Sequence, residues 1–124
     1  MVAERARKLT ARTAAKRAAL FAADKQAVDI TVLDLRKVAD FCDYFVICSG
    51  VVDVHVKAIF EFIEEELLKI GWKPKHIEGT ENLRWVLMDY VDIIVHVFQS
   101  DVRGYYSLER LWGDAPQLEL KGID

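Results

Sequence analysis

The sequence predicts a mixed α/β fold of the α+β kind, in which a sheet of about five strands is flanked by helices in the order αββαβββα. Three features carry that prediction. Tyr44-Phe45-Val46-Ile47-Cys48 is apolar at every position, as a central strand covered on both faces must be. A long helix follows it, with Val56, Ile59, Phe60, Ile63, Leu67 and Ile70 on one side and Lys57, Glu61, Glu64 and Glu65 on the other. Two more strand-like runs, Arg84–Asp89 and Asp92–Phe98, have only Tyr90-Val91 between them and should pair as an antiparallel hairpin.

The other elements fill in around these. Thr10 to Gln26 is made of strong helix formers, seven of them Ala, and carries a weak apolar stripe. Ile30–Leu35 is short and β-rich, so it reads as a strand, and Ser49-Gly50 ends the central one. Asp53 is the expected N-cap of the long helix and Gly71 its stop. Pro74 to Glu78 reads as a short edge strand. Asp101 can cap a last helix through Tyr105, Leu108 and Leu111 to Trp112, with Gly113 as its stop and Pro116 opening a tail. With no repeat or linker, the expected organisation is one domain over residues 13–116. A basic N-terminal arm (1–12), ordered or not, precedes it, and a tail (117–124) follows.

Composition narrows the class of function. The 124 residues carry a formal charge of −3, with 52% hydrophobic and 30% charged residues, which is a globular balance. That charge is a sum of unlike parts. Residues 1–25 hold seven basic and two acidic side chains, net +5, and the rest hold ten basic and eighteen acidic ones, net −8. Such an acidic body argues against affinity built mainly on phosphate contacts, while the arm remains able to touch polyanion. Cys42 and Cys48, the two cysteines, fit neither a disulfide framework nor a paired zinc spacing, and are expected to be free, buried thiols. No apolar run approaches the ~18 residues of a membrane span, and the N-terminus lacks a secretory core. Its Ala-, Arg- and Thr-rich start has the composition of a transit peptide and equally that of a first helix. The expected location is the cytoplasm, or an organellar matrix in a eukaryotic source.

Catalytic and metal-binding patterns are sparse. His55, His76 and His96 lie in no H-x3-H or H-E-x2-H arrangement. His96 shares one strand face with Ile94 and Phe98, which favours a structural or partner-contacting role. His55 reads either as a surface residue or as a hydrogen bonder at a helix start. Ser49-Gly50 is no nucleophile elbow, and Gly50 and Gly79 stand outside any phosphate loop. Asp89 and Asp92 are the carboxylates a magnesium-dependent nucleotidyl transfer would need, but a charged hairpin tip explains them as well. What remains is surface chemistry. Trp85, Tyr90, Tyr105, Tyr106 and Trp112 lie near Asp89, Asp92 and Glu109, and rings with carboxylates suit an interface with a basic partner.

Several blocks of sequence together resemble the ribosomal silencing factor family, also called the Iojap family. They are Thr31-Val32-Leu33-Asp34-Leu35, Asp43–Gly50, Asp53–Ile59, Glu78-Gly79, Trp85–Tyr90, Asp92–Phe98 and Tyr105–Asp114, in order and without a large gap over roughly residues 14–116. The resemblance implies a five-stranded mixed sheet similar to the nucleotidyltransferase fold without its catalytic equipment, and no cofactor. It implies binding to the fourteenth-numbered protein of the large ribosomal subunit, which blocks joining of the small subunit and lowers translation when nutrients are scarce. It also implies a homodimer when free, and in a ribosomal setting the +5 charge of the arm is suited to contact with ribosomal RNA. By position, Trp85 becomes the expected anchor of the partner surface, with Asp89, Tyr90, Asp92 and Glu109 around it and Glu78, His96 and Tyr105 on the same surface. Two departures from the family pattern stand out: Val51-Val52 where Thr-Ser is usual, and Val91 where Gly is usual, which puts a type I′ turn in doubt. The competing expectations are a nucleotidyl- or phosphoryl-transferring enzyme on a related fold, or a dimeric scaffold without ribosome binding.

Overall fold

A computed structural model describes residues 10–106 and 114–120. The elements run α1 (Ala11–Asp24), β1 (Val28–Asp34), β2 (Tyr44–Gly50), α2 (Asp53–Lys69), β3 (His76–Glu78), β4 (Trp85–Asp89), β5 (Ile93–Gln99) and α3 (Ser100–Tyr106). This is the predicted αββαβββα order. Most of the basic arm, residues 1–9, lies outside the described residues, as do residues 107–113, which the last predicted helix was to occupy.

The five strands form one sheet in the order β1-β2-β5-β4-β3. Neighbours pair antiparallel except β2 and β5, which run parallel from Tyr44↔Ile93 to Gly50↔Gln99. All seven residues of β2 are buried, as an apolar run between two partners requires. A parallel pair needs a long crossover, and here α2, β3 and β4 supply it.

Alternation along the strands divides the sheet into two faces. One carries Val32, Tyr44, Val46, Cys48, Val86, Met88, Ile93, Val95 and Val97, and both long helices pack on it. Helix α1 brings a seam of small residues, Ala14, Ala15, Ala18, Ala19 and Ala22, all fully buried. Helix α2 adds Val56, Ile59, Phe60, Ile63 and Leu67, nearly the stripe read from sequence. The opposite face carries Leu33, Phe45, Ile47 and Phe98, packed with Leu35, Cys42, Val102 and Ala115.

The ends of the helices show local chemistry clearly. Thr10 caps α1, its hydroxyl accepting from Thr13 N–H at 3.2 Å. Gly71, at φ +95, closes α2: its N–H reaches Leu68 O, and Trp72 N–H reaches Leu67 O, the paired pattern of a left-handed helix stop. Asp53, however, is not the N-cap. Val52 holds that position in extended backbone without a side-chain bond, and Asp53 is the first helical residue, its Oδ1 accepting from Val54 N–H at 2.8 Å. His55 does the local fastening instead. Its Nδ1 accepts from Val51 N–H at 2.9 Å, so the ring proton sits on Nε2, which lies 2.8 Å from Lys25 O and donates to it. Helix start and α1 terminus are thereby tied together. Asp101 likewise stands inside the first turn of α3, which begins at Ser100.

Beyond Pro116 the chain keeps to the outer edge of β1. Asp34 N–H donates to Pro116 O at 2.8 Å, Leu118 N–H to Val32 O at 2.9 Å, and Gln117 bridges Leu33. This covers backbone that would otherwise be an open sheet edge. At the other end, β4 and β5 form the predicted hairpin with Tyr90–Asp92 between them. Asp92 N–H bonds Tyr90 O around Val91, whose φ is +74, a γ-turn conformation that a β-branched residue adopts at a cost. Asp89 Oδ1 supports the turn by accepting Val91 N–H at 2.8 Å.

Replacing Val91 by glycine should relieve this strain. Left-handed backbone costs an L-residue ~1–2 kcal/mol. Extra unfolded-state freedom of glycine returns ~0.5–1 kcal/mol. Val91 is 55% exposed and gives up little packing. Val91→Gly is therefore expected to raise the unfolding free energy by ~0.5–1 kcal/mol in urea titration, with an unchanged m-value.

Candidate partner-binding face

The register of β3, β4 and β5 assembles a distinct patch on the face away from α1 and α2. Residues directly opposite in adjacent strands share a face. His76 thus pairs with Asp89, and Asp89 with Ile94; Glu78 pairs with Leu87, and Leu87 with His96; Trp85 pairs with Phe98. The result is a half-buried apolar strip, Trp85, Leu87 and Ile94, bordered on the β3 side by Glu78, His76 and Asp89. A turn brings Phe41, 53% exposed, to 6.1 Å from the ring of Phe45, which neighbours Ile94 in the register.

The hairpin geometry that builds this patch depends on Gly79. It sits at φ +84, and a Cβ there would overlap the carbonyl oxygen of Trp85. Only glycine lets the chain leave β3 so close to β4. At the patch's edge, His76 Nε2 lies 2.7 Å from Glu78 Oε2, while its Nδ1 is 3.8 Å from Asp89 Oδ2. Both carboxylates therefore lie beside His76 and line one border with acidic groups.

Two neighbours, Phe98 and His96, hold Trp85 through three interactions. Its ring stacks on Phe98 at 5.0 Å between centroids, tilts over His96 at 5.9 Å, and its Nε1–H donates to His96 Nδ1 at 3.1 Å. Phe45 meets the imidazole edge-on at 4.5 Å.

Four of the eight residues expected on the partner surface fall at or beside the patch: Trp85, Asp89 and Glu78 within it, and Asp92, exposed, at the hairpin tip. Two do not reach the surface. Tyr90 is 4% exposed and belongs to the helix-covered core. It continues the series Val86, Met88, so strand alternation turns it away from Trp85 and Asp89. His96 shares the sheet face of Trp85 but is only 3% exposed, underneath Trp85 rather than beside it. Glu109 and the side chain of Tyr105 lie outside the described residues. Leu87, Ile94, His76 and Phe41 were not among the residues expected on the partner surface, although cross-strand register would have found the first three.

Among the described residues no cluster of three His, Cys, Asp or Glu could hold a metal, and none of the helices is long and apolar enough to cross a membrane. Both cysteines are buried and free, and burial pushes each thiol up to about 12, far from a reactive thiolate.

Comparison with known proteins supplies a family. Residues 8–124 match a family model described as ribosomal silencing factor during starvation. A ribosomal silencing factor of Bacillus subtilis is 46% identical over 97 residues, covering 78% of this chain and 82% of that protein. Its counterpart in Halalkalibacterium halodurans is 42% identical over 100 residues, covering 81% and 86%. A crystal structure of a protein from Chromobacterium violaceum superposes with a TM-score of 0.82 at 29% identity, covering 93% of this chain and 96% of that one.

Burial of His96 has a thermodynamic consequence. Desolvation lowers its pKa to about 3, below the ordinary 6.5. Below pH 6.5 the unfolded chain takes up a proton that the folded chain refuses, so stability falls as pH falls from about 6.5 toward 3. The slope from this one group approaches ~1.4 kcal/mol per pH unit. Urea titrations across that range should show His96→Leu shallower by about that slope.

Proposed function

The chain belongs to the ribosomal silencing factor family, and from that premise we propose that it binds the large ribosomal subunit through the subunit's fourteenth-numbered protein. Occupying that protein keeps the small subunit from joining and represses translation when nutrients are limiting. The action is occlusion, with no bond made or broken. One observation carries the reading: an apolar strip of Trp85, Leu87 and Ile94 lies on one sheet face with Glu78 and Asp89 along its border. Rings and aliphatics supply area to exclude water, and carboxylates meet the Lys and Arg of a ribosomal protein. Trp85 is the anchor, since it is large, half-buried and already fixed by Phe98 and His96. The net −8 of residues 26–124 steers the body toward a basic protein surface and away from bare RNA.

Trp85→Ala should weaken binding to purified large subunits by ~30-fold or more, the scale of an interface hot spot. Glu65→Gln, on the exposed side of α2, should leave it unchanged. Saturating wild-type protein should prevent joining of isolated subunits in a sucrose-gradient assay. Full joining at saturation would overturn the proposal.

A further inference from the structure

We propose that His96 is a positioning residue for Trp85, holding the indole in the orientation the ribosomal partner meets. The inference rests on the reading of Trp85 as the anchor of that face. Three observations support it. Trp85 Nε1–H donates to His96 Nδ1 at 3.1 Å, so Nδ1 is the bare ring nitrogen and the proton sits on Nε2. Among the described residues Nε2 has no hydrogen-bond partner and is buried. Apolar groups surround the ring: Phe45 edge-on at 4.5 Å, Phe98 at 6.2 Å, with Leu87 and Ile47 beside it in the register.

A buried donor without a partner destabilises the folded state. Leucine would fill much the same space among these neighbours without that cost, so packing alone does not account for histidine here. What histidine adds is an acceptor aimed at the indole of Trp85. A bond from the β5 side and the Phe98 ring together leave the indole one orientation, and an anchor already ordered loses less freedom on binding. Burial keeps the imidazole neutral through the physiological range, so the acceptor is always present. Residues that lower stability in exchange for a fixed binding group are expected at functional sites.

The test is a double-mutant cycle with wild type, Trp85→Phe, His96→Leu and the double variant, reading affinity for purified large ribosomal subunits, melting temperature, and exchange of the Trp85 indole proton by 15N NMR. His96→Leu should bind about tenfold more weakly, the scale of one net hydrogen bond. It should melt at the same temperature or higher and lose protection of the indole proton. In the Trp85→Phe background the same change should have no further effect on affinity. His96→Gln, whose carbonyl can accept from the indole, should recover most of the binding. Equal losses in both backgrounds would overturn the inference, as would unchanged affinity in His96→Leu while Trp85→Phe weakens binding. If Trp85→Phe itself binds like wild type, the anchor reading fails, and this inference with it.

Discussion

The parallel pairing of β2 with β5 is the constraint on which the rest of this fold depends. Parallel neighbours cannot be joined by a tight turn, so everything between Gly50 and Ile93 must serve as the connection. Helix α2 takes up the apolar face it passes over, and α1 packs beside it on the same side, its alanine seam bringing the two helices into contact with the sheet. β3 and β4 are then laid down on the far side of β5, beyond the reach of β1 and β2. Their face away from α1 and α2 is the one that carries Trp85, Leu87 and Asp89. The proposed partner surface is thus a product of topology as much as of composition.

That division explains how a chain with 52% hydrophobic residues keeps a half-buried apolar strip distinct from its core. Even-numbered positions of β4 supply the helix-covered core, and odd-numbered ones supply the strip. A single-residue slip in the hairpin would exchange the two sets, which gives the strained turn at Val91 its importance. Asp89 serves both ends of this arrangement. One carboxylate oxygen holds the turn through Val91 N–H, and the other faces His76 on the edge strand.

Much of the fold was legible in the residues themselves. The short run Tyr44–Cys48, rich in aromatic and β-branched residues and followed by Gly50, read as a strand covered on both faces, and the 3–4 spacing from Val56 to Leu67 read as an amphipathic helix. The identity of the silencing-factor family was legible too, from several blocks in order. The site was less so. Tyr90 was assigned to the surface for its position near two acids, yet the parity of Val86 and Met88 already pointed it inward. His96 lies on the strand face it was read to share with Ile94 and Phe98, but its depth depends on Trp85, Phe45 and Phe98 closing over it, a fact of packing rather than of pattern. The role of His55 required knowing that Lys25, thirty residues earlier, ends a helix beside it. Leu87 and Ile94 became visible only once the register of β4 against β5 was fixed.

The central claim is that one face of the sheet, around Trp85, Leu87 and Ile94, meets the large ribosomal subunit while the helical face stays free. Hydrogen–deuterium exchange of the chain alone and bound to purified large subunits tests this most directly. The account predicts added protection in the segments spanning His76–Asp89 and the turn at Phe41, with exposed peptides of α2 around Glu61–Glu65 unchanged. Protection concentrated on α1 and α2, with none in His76–Asp89, would contradict it.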